Sequence, residues 1–349
     1  MQKYNKVIVD KSFMKRILRD EEEIHKSLSR FIDNSIKARK AMSLINDLCK
    51  VEVKIFDNLI MISDNSGGIK SELSDKELFR IGVNNGDKIS GLGIKKSLFA
   101  LGNKMDIISN NKVCSKKFTF DLNLNDDQMI SYCDNIEYNP NQVEGTTIFI
   151  SDLEKSVLKE IKSNGFLSYT IEKLGRRYSK FITKGKLFLE INNYTVNSND
   201  INSQQISACR LLDKYDVSLY KSYNREVSGV DLFINDFMIY DRSKNNSLIR
   251  WSLLNEAKYR FTDCIVEIIF NGEKTIYESE KEKLYLALIK FIKENKKYFK
   301  SKTMTIQYEM DIDKIEDLKE YYNENTAKAI GITAFNKLYE YYLIDKTKK

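Results

Sequence analysis

Two glycine-rich breaks constrain the fold of this chain more than any other feature. The first follows an apolar run and reads Asp64-Asn65-Ser66-Gly67-Gly68, and the second reads Gly91-Leu92-Gly93-Ile94-Lys95 and precedes a helical pattern. Glycines let a backbone approach a ligand or another strand closely. Backbone amides at the start of a helix also attract anions. The sequence therefore predicts strands and helices arranged around two loops that can carry chemistry.

The length and composition favour a soluble protein with more than one core. A chain of 349 residues allows two domains, and an apolar fraction of 42% lies in the globular range. No stretch approaches the run of about 20 apolar residues that crosses a bilayer. Residues 1–20 lack the apolar core of a signal peptide. We expect a cytoplasmic protein that does not enter a membrane.

Cysteine and histidine usage argues against several classes of site. The five cysteines, Cys49, Cys114, Cys133, Cys209 and Cys264, are scattered without ligand-like spacing. The single histidine, His25, lies in a charged helical stretch, so neither a zinc site nor a Ser-His-Asp nucleophile is expected. A net charge of +7, from 57 basic and 50 acidic residues, permits contact with nucleic acid without requiring it.

Hydrophobic periodicity predicts the order of the elements. Residues 20–48 form a helix whose buried stripe contains Ile24, Leu28, Phe31, Ser35 and Ala38. Strands are predicted at residues 51–56, 59–63, 105–109, 113–122, 129–138, 146–151 and 186–196, and helices at residues 74–80, 94–101 and 156–181. This order predicts an α+β sandwich with helices on one face of a mixed sheet.

The same pattern predicts three regions along the chain. Residues 1–196 form the first domain, and a linker rich in Asn, Ser and Gln follows at residues 197–207. Residues 208–299 form a smaller α/β domain, with strands at residues 232–240 and 265–270 and a helix at residues 279–298. Residues 300–349 form a charged, helical C-terminal tail.

Three segments carry residues suited to binding a nucleotide. Asn34 lies four residues after Arg30 on one helix face, and its amide oxygen can coordinate a magnesium ion that carries phosphates. Asp64 ends a strand, where a carboxylate can accept the amino group of adenine. Lys95 adds a positive charge beside a helix N-terminus. Taken singly, Asn34 also fits a solvated helix face, and Asp64 fits an ordinary turn.

The order and spacing of these segments resemble the GHKL superfamily, whose Bergerat fold is shared by the ninety-kilodalton heat-shock chaperones, MutL, MORC proteins and histidine kinases. Residues 31–35 (FIDNS) resemble the N box and residues 62–69 (ISDNSGGI) the adenine-binding G1 box. Residues 91–95 (GLGIK) resemble the G2 hinge of the lid, and residues 144–150 (EGTTIFI) the late Gly-Thr strand. The likeness covers residues 15–195 well and the second domain only loosely.

The likeness is strongest to MORC-like and chaperone-like bacterial members. They share the entry to the lid, seen here at residues 79–82 (FRIG), and a segment similar to residues 176–181 (RRYSKF). The resemblance implies ATP and Mg²⁺ as ligands, with Asn34 holding the metal. The implied cofactor-binding residues are Asn34, Asp64, Gly68, Ile69, Gly91, Leu92, Gly93, Ile94, Lys95 and Thr146. It also implies a transducer-like second domain.

The chain departs from the family at the position of its catalytic glutamate. Hydrolysing members have Glu four residues before the Asn of the N box, and this chain has Arg30 there. A guanidinium cannot act as a base because its pKa stays above about 12, but it can hold phosphate oxygens. The glutamates at residues 21–23 lie roughly 10 Å away along the helix axis. Asp33 neighbours Asn34 but points elsewhere on a helix.

Two further positions bear on activity. Ser66 stands where the family more often has Gly, and its small side chain should be tolerated. Hydrolysing relatives bring a Lys from the second domain to the terminal phosphate, and Lys274 is the candidate here. A plain turn lysine explains Lys274 equally well.

The resemblance predicts an ATP-binding conformational switch with lid closure at residues 82–93 or dimerisation, and with weak or absent hydrolysis because of Arg30. Its partner is a second copy or another protein. The alternative is an active MORC-like or MutL-like ATPase that uses a nonstandard carboxylate and acts on nucleic acid. A histidine kinase needs a phosphoacceptor well before the N box, whereas His25 lies on the same helix. The family likeness alone suggests a role in anti-phage defence.

Overall fold

A computed structural model describes residues 23–42, 48–69, 83–84, 89–90, 93–123, 130–137, 143–222, 227–244, 248, 261–272 and 276–299. Within these ranges the chain forms α-helices and β-sheets, which confirms the predicted α+β class. The chain divides into two compact units. The first contains residues 1–202, 232–241 and 269–274, and the second contains residues 203–231, 242–268 and 275–349.

The first unit is built on an eight-stranded sheet. Its strands are β1 (Cys49–Ile55), β2 (Leu59–Asp64), β5 (Gly102–Asn110), β6 (Ser115–Asp121), β7 (Ile130–Ile136), β8 (Gly145–Leu153), β9 (Leu187–Ile191) and β10 (Tyr194–Thr195). They follow the order β10-β9-β1-β2-β8-β5-β6-β7. The sheet is mixed because β1 pairs parallel with β9 and antiparallel with β2. A separate two-stranded ladder joins β3 (Val83–Asn84) to β4 (Ile89–Ser90).

Five helices share one hydrophobic core with this sheet. They are α1 (Ile24–Ala41), α2 (Gly93–Leu101), α3 (Lys155–Ile161), α4 (Phe166–Arg177) and α5 (Ser179–Thr183). Alternate residues of β1, such as Val51 and Val53, are buried in that core, whereas Lys50 is exposed. Because successive side chains of a strand point to opposite faces, the helices cover one face of the sheet. The predicted arrangement of helices on a mixed sheet agrees with this architecture.

The first helix is shorter than predicted. Of its predicted stripe, Ile24, Leu28 and Phe31 are buried in the core, each worth about 1.5–3 kcal/mol of transfer free energy. Helix α1 ends at Ala41, although the apolar pattern suggested an end at residue 48. Leu48 already leads into β1, where its carbonyl accepts a hydrogen bond from the Asn65 side chain at 3.2 Å. The predicted helix at residues 74–80 lies outside the described residues.

The predicted helix at residues 156–181 is wrong as a single element, because the chain forms α3, α4 and α5 there. Gly165 separates α3 from α4 with a left-handed φ of 81°, which a helix interior does not allow. Tyr178 separates α4 from α5, and its side chain is fully buried. Its hydroxyl lies 2.8 Å from the Ser29 carbonyl and 2.7 Å from Asp33 Oδ1, so tertiary contacts interrupt the helix there.

A second sheet has five strands in the order β11-β12-β15-β13-β14. These are β11 (Gln205–Leu211), β12 (Tyr215–Lys221), β13 (Gly229–Ile234), β14 (Phe237–Ser243) and β15 (Cys264–Phe270), and helix α6 (Glu278–Glu294) and a short 3₁₀ turn (Lys296–Tyr298) follow. The first strand begins inside the predicted linker at residues 197–207. The predicted strand at residues 265–270 and helix at residues 279–298 agree closely with β15 and α6. The predicted tail at residues 300–349 lies outside the described residues.

Tight hairpin turns explain where the strand predictions fail. The predicted strands at residues 186–196 and 232–240 are each two strands, β9–β10 and β13–β14, and the hairpin β11–β12 was not predicted. Asn192 and Asn193 form the first turn with φ values of 47° and 66°, and Asn235 and Asp236 form the second with 51° and 72°. Positive φ at both central residues is the geometry of tight hairpins, and Asn and Asp tolerate it.

The turn of β9 and β10 also anchors the central strand β1. The Asn192 side chain accepts a hydrogen bond from the Ile55 amide at 2.7 Å and donates one to the Ile55 carbonyl at 3.1 Å. The Asn192 amide thus satisfies both backbone groups of the last residue of β1.

We therefore expect Asn192→Gly to lower the free energy of unfolding by about 2 kcal/mol, because it keeps the turn geometry but removes two hydrogen bonds. Asn193→Gly is the matched control, since it changes the neighbouring left-handed residue and should alter stability by no more than a few tenths of a kcal/mol. Urea unfolding followed by circular dichroism measures both variants. Equal midpoints for the two would contradict the anchoring role of Asn192.

Candidate functional site

The Asp64 carboxylate, at the end of β2, joins three separate parts of the chain. Its Oδ1 accepts hydrogen bonds from the amide of Ser66 at 2.9 Å, the hydroxyl of Ser66 at 2.5 Å and the amide of Thr146 at 3.1 Å. Its Oδ2 accepts one from the Ser35 hydroxyl at 2.6 Å. Helix α1, strand β2 and strand β8 therefore meet at one side chain.

Residues of β1 and α1 also fix the position of Asp64 and of the loop that follows it. Cys49, the first residue of β1, is buried, and burial raises the pKa of its thiol to about 12 with the Asp64 charge adding to the effect. The side chain of Asn65 connects this loop to β1, because it accepts a hydrogen bond from the Lys50 amide at 2.8 Å. Arg39 of α1 donates to the Asn65 carbonyl at 3.0 Å. The loop that follows β2 is thus tied to both α1 and β1.

The two glycines after Ser66 permit a close approach of the loop to the sheet. Gly67 and Gly68 have φ values of 82° and 70°, and a Cβ on Gly68 would lie 2.3 Å from the Asn110 carbonyl oxygen. The next amide, of Ile69, donates to Ser109 Oγ at 2.7 Å. Contact with β5 therefore requires Gly68, whereas a Cβ on Gly67 would lie 2.7 Å from Met42 Sδ. Both glycines leave the other side of the loop open.

That open side borders a cavity of about 420 Å³. Polar residues occupy one part of its wall, namely Asn34, Ser35, Asp64, Ser66, Lys95 and Thr146. Apolar residues form the remainder, among them Phe31, Ile69, Ile94, Met105, Ile107, Phe120 and Ile148. The volume falls within the range of about 300–1,000 Å³ typical of small-molecule sites, as does the mixture of an apolar wall with a few polar groups.

Lys95 is an unusual member of this wall because it is a lysine only 4% exposed. It lies in the first turn of α2, which begins at Gly93. Burial lowers the pKa of the Lys95 ammonium, since desolvation disfavours its charged form. A helix N-terminus and a buried cation on one wall favour an anionic ligand group.

Arg30 approaches the same helix start from α1. A Cβ placed on Gly93 would lie 3.9 Å from Arg30 Cδ, an ordinary van der Waals contact. The neighbouring carboxylate of Asp33 is engaged elsewhere, because Arg177 donates to its Oδ2 at 2.9 Å and Tyr178 lies against its Oδ1. Glu23 lies 3.7 Å from Lys26 Nζ and accepts from the Tyr169 hydroxyl at 3.2 Å.

The cavity brings together residues of four separate sequence motifs. Of the residues predicted to bind a cofactor, Asn34, Asp64, Gly68, Ile69, Ile94, Lys95 and Thr146 line it, and Gly93 begins the adjoining helix. Gly91, Leu92 and Lys274 lie outside the described residues, as do most of the predicted lid and its entry at residues 79–82.

Sequence reasoning missed some residues of this cavity. Ser35 was predicted only as part of the buried stripe of α1, yet its hydroxyl binds Asp64. A polar residue within an apolar stripe was the available signal. Met105, Ile107 and Phe120 line the cavity from β5 and β6, and their alternating pattern could not be distinguished from an ordinary core.

The metal-binding capacity of the cavity is small. Among the described residues no group of three or more His, Cys, Asp or Glu side chains could hold a metal ion. Magnesium commonly takes few protein ligands and completes its shell with water and ligand phosphates. Asn34 can supply one amide oxygen of this kind, and Asp64 is already committed to four donors. These residues fit a magnesium ion that arrives with a phosphorylated ligand.

A scan against protein-family models gives no match for this chain, and a search of curated proteins gives none either. The family likeness therefore rests on the sequence motifs. None of the helices that the structure describes is long and apolar enough to cross a membrane.

Substitution of Gly145 would test how closely β8 approaches Asp64. A Cβ at Gly145 would lie 1.9 Å from the Asp64 carbonyl oxygen, whereas a Cβ at Gly93 would meet nothing closer than 3.9 Å. We expect Gly145→Ala to destabilise the protein by about 2 kcal/mol, because β8 and the Asp64 loop must separate. Gly93→Ala should change stability by less than about 0.5 kcal/mol. Chemical denaturation measures both, and a tolerated Gly145→Ala would refute the close approach.

Proposed function

We propose that this chain is an ATP-binding protein of the GHKL type. The observation that carries the proposal is the single cavity in which Asn34, Asp64, Lys95 and Thr146 come together from distant parts of the sequence. A Bergerat-type sandwich for the first unit and a transducer-like role for the second belong to the same proposal. The mixed sheet with helices on one face supports it.

The adenine base binds at Asp64 in this proposal. An ionised carboxylate only accepts hydrogen bonds, so Asp64 favours a ligand edge that donates, such as the exocyclic amine of adenine. Oδ1 receives three protein donors and Oδ2 receives the Ser35 hydroxyl, which leaves Oδ2 the better placed for a further donor. Apolar side chains such as Ile69, Ile148 and Phe120 supply a surface for the flat base.

The phosphates bind toward Asn34 and α2. The buried ammonium of Lys95 and the N-terminus of α2 attract negative charge, and Asn34 offers an oxygen to magnesium. Bound ATP orders the lid at residues 82–93 and biases the chain toward a closed or self-associated form. Such a switch requires ATP to bind the closed form more tightly than the open one.

Weak or absent hydrolysis is expected because Arg30 replaces the catalytic glutamate and the carboxylates on the same helix contact other side chains. Arg30 cannot accept a proton from water. Asp33 is held by Arg177 and Tyr178, and Glu23 lies near Lys26 and Tyr169. The second candidate is an active MORC-like or MutL-like ATPase that acts on nucleic acid and draws its base from another carboxylate. Rapid turnover by the unaltered chain would favour that candidate.

Asp64→Asn tests the base site. We expect its affinity for ATP to fall by about 100-fold, because the amide NH₂ would face donors where the carboxylate accepts. Asp57→Asn is the matched control, since Asp57 is exposed in the β1–β2 turn, and it should bind ATP like the unaltered chain. Isothermal titration calorimetry measures both. Unchanged affinity in Asp64→Asn, or no ATP binding by the unaltered chain, would refute the proposal.

Arg30→Glu tests the catalytic position. We expect it to raise the rate of ATP hydrolysis at least about tenfold, because a positioned general base contributes about 10²–10⁴-fold. Arg30→Gln is the control, since it removes the same positive charge without adding a base. Phosphate release under saturating ATP measures turnover. Equal rates for the two variants would show that the glutamate position does not limit hydrolysis in this chain.

A further inference from the structure

A second cavity, of about 350 Å³, has a strongly basic wall. The charged and titratable residues that line it are His25, Lys26, Arg30, Lys173, Arg177 and Asp241. All six belong to the first compact unit. Four cationic side chains therefore face one carboxylate, so the wall carries a net positive charge.

Helical spacing produces this cluster. Lys26 and Arg30 lie four apart on α1, with His25 next to Lys26, and Lys173 and Arg177 lie four apart on α4. Residues three or four apart share one face of a helix. Two basic helix faces are thus turned toward the same space. The segment at residues 176–181, which resembles the family but has no part in the nucleotide cavity, contributes Arg177.

Nearby carboxylates offset only part of this charge. Asp33 pairs with Arg177 at 2.9 Å, and Glu23 lies 3.7 Å from Lys26. Asp241 is the carboxylate in the wall itself, and it forms an ion pair with Arg176. Lys173 lies 5.4 Å from the centre of the Tyr169 ring. Asp33, Glu23 and Asp241 thus pair with Arg177, Lys26 and Arg176, and Lys173 forms no ion pair within the described part of the chain.

Two buried nitrogen atoms of the wall have unused hydrogen-bonding capacity. His25 is 9% exposed, and its Nδ1 makes no hydrogen bond within the described part of the chain, the Glu23 carboxylate lying 3.6 Å away. The Nε of Arg177 is also buried without a hydrogen-bond partner among these residues. Buried polar atoms are normally satisfied, and those that are not often await a ligand or water.

We infer that this basic cavity binds a phosphate group. Arginine and lysine side chains bind phosphate oxygens through charge-assisted hydrogen bonds, and His25 and Arg177 each hold a nitrogen ready for one. Arg30 links this cavity to the start of α2, because its Cδ lies near Gly93. The group can belong to a separate phosphorylated molecule or be the terminal phosphate of a nucleotide. Only the second source rests on the proposed function.

His25 provides a direct reporter because it is the only histidine of the chain. Burial lowers the pKa of His25, Glu23 opposes that effect, and Lys26, Lys173 and Arg177 lower the pKa further. Asp241 also lines the cavity, and the Tyr169 ring packs against the imidazole edge-on at 5.7 Å. A bound phosphate would offset the three cations, so the pKa of His25 rises when the site is filled.

The experiment follows the His25 imidazole by NMR in the full chain. Inorganic phosphate, ADP and ATP are titrated separately into the unaltered chain and into Asp64→Asn. Lys173→Gln removes one cation of the wall, and Lys155→Gln removes an exposed lysine of α3 as the matched control. We expect Lys173→Gln to weaken phosphate binding about fivefold, because one charged contact with the phosphate is lost. Lys155→Gln should change the affinity less than twofold.

The results separate the two sources. Shifts of the His25 signals by inorganic phosphate, equal in Asp64→Asn, support a site for a separate phosphorylated molecule even if the proposed nucleotide site fails. Shifts by ATP alone, lost in Asp64→Asn and weakened by Lys173→Gln, support capture of the terminal phosphate. Absence of any shift with all three ligands overturns the inference. Equal weakening by Lys173→Gln and Lys155→Gln overturns it as well, because the effect would then be one of net charge.

Discussion

The acceptance of four hydrogen bonds by Asp64 is the interaction on which the first unit depends. It fixes the end of β2 to Ser35 of α1 and to the amide of Thr146 in β8. A carboxylate can serve three elements at once because each oxygen accepts more than one donor. Apolar contacts between the helix layer and the sheet have no preferred direction, whereas these hydrogen bonds, like that from Arg39 to the Asn65 carbonyl, do. The same side chain therefore holds α1, β2 and β8 in place around the cavity.

The two cavities differ in character although one helix borders both. Helix α1 presents Asn34 and Ser35 to a mainly apolar space and His25 and Arg30 to a mainly basic one. For His25 and Asn34 the difference follows from helical periodicity, since residues nine apart lie on opposite sides of a helix. Arg30 lies on the same face as Asn34, one turn before it. A ligand with an apolar body and a charged end would encounter both chemistries along a single helix.

Much of this arrangement could be predicted from the sequence, and the exceptions have physical causes. The buried stripe of α1 and the strands β1 and β2 could be predicted from the regular spacing of apolar residues. The turns at Asn192 and Asn235 were missed because their left-handed pairs, Asn-Asn and Asn-Asp, lack the glycine that usually marks a hairpin. The break at Tyr178 depends on tertiary contacts that local pattern does not contain, whereas the break at Gly165 comes from a left-handed φ that hydrophobic periodicity does not reveal. Likewise, the pairing of Arg177 with Asp33 joins residues 144 apart in sequence.

The parallel pairing of β1 with β9 bears on how the protein is made. Strand β1 lies inside the sheet, between β9 and β2, and its partner β9 ends at Ile191. During synthesis, more than a hundred further residues must therefore be made before β9 can pair with β1 and cover its second edge. Long-range pairing of this kind is slow and leaves a strand edge open to other chains in the interval. The nascent chain thus has its greatest need of protection from aggregation before Asn192 emerges and closes the edge of β1.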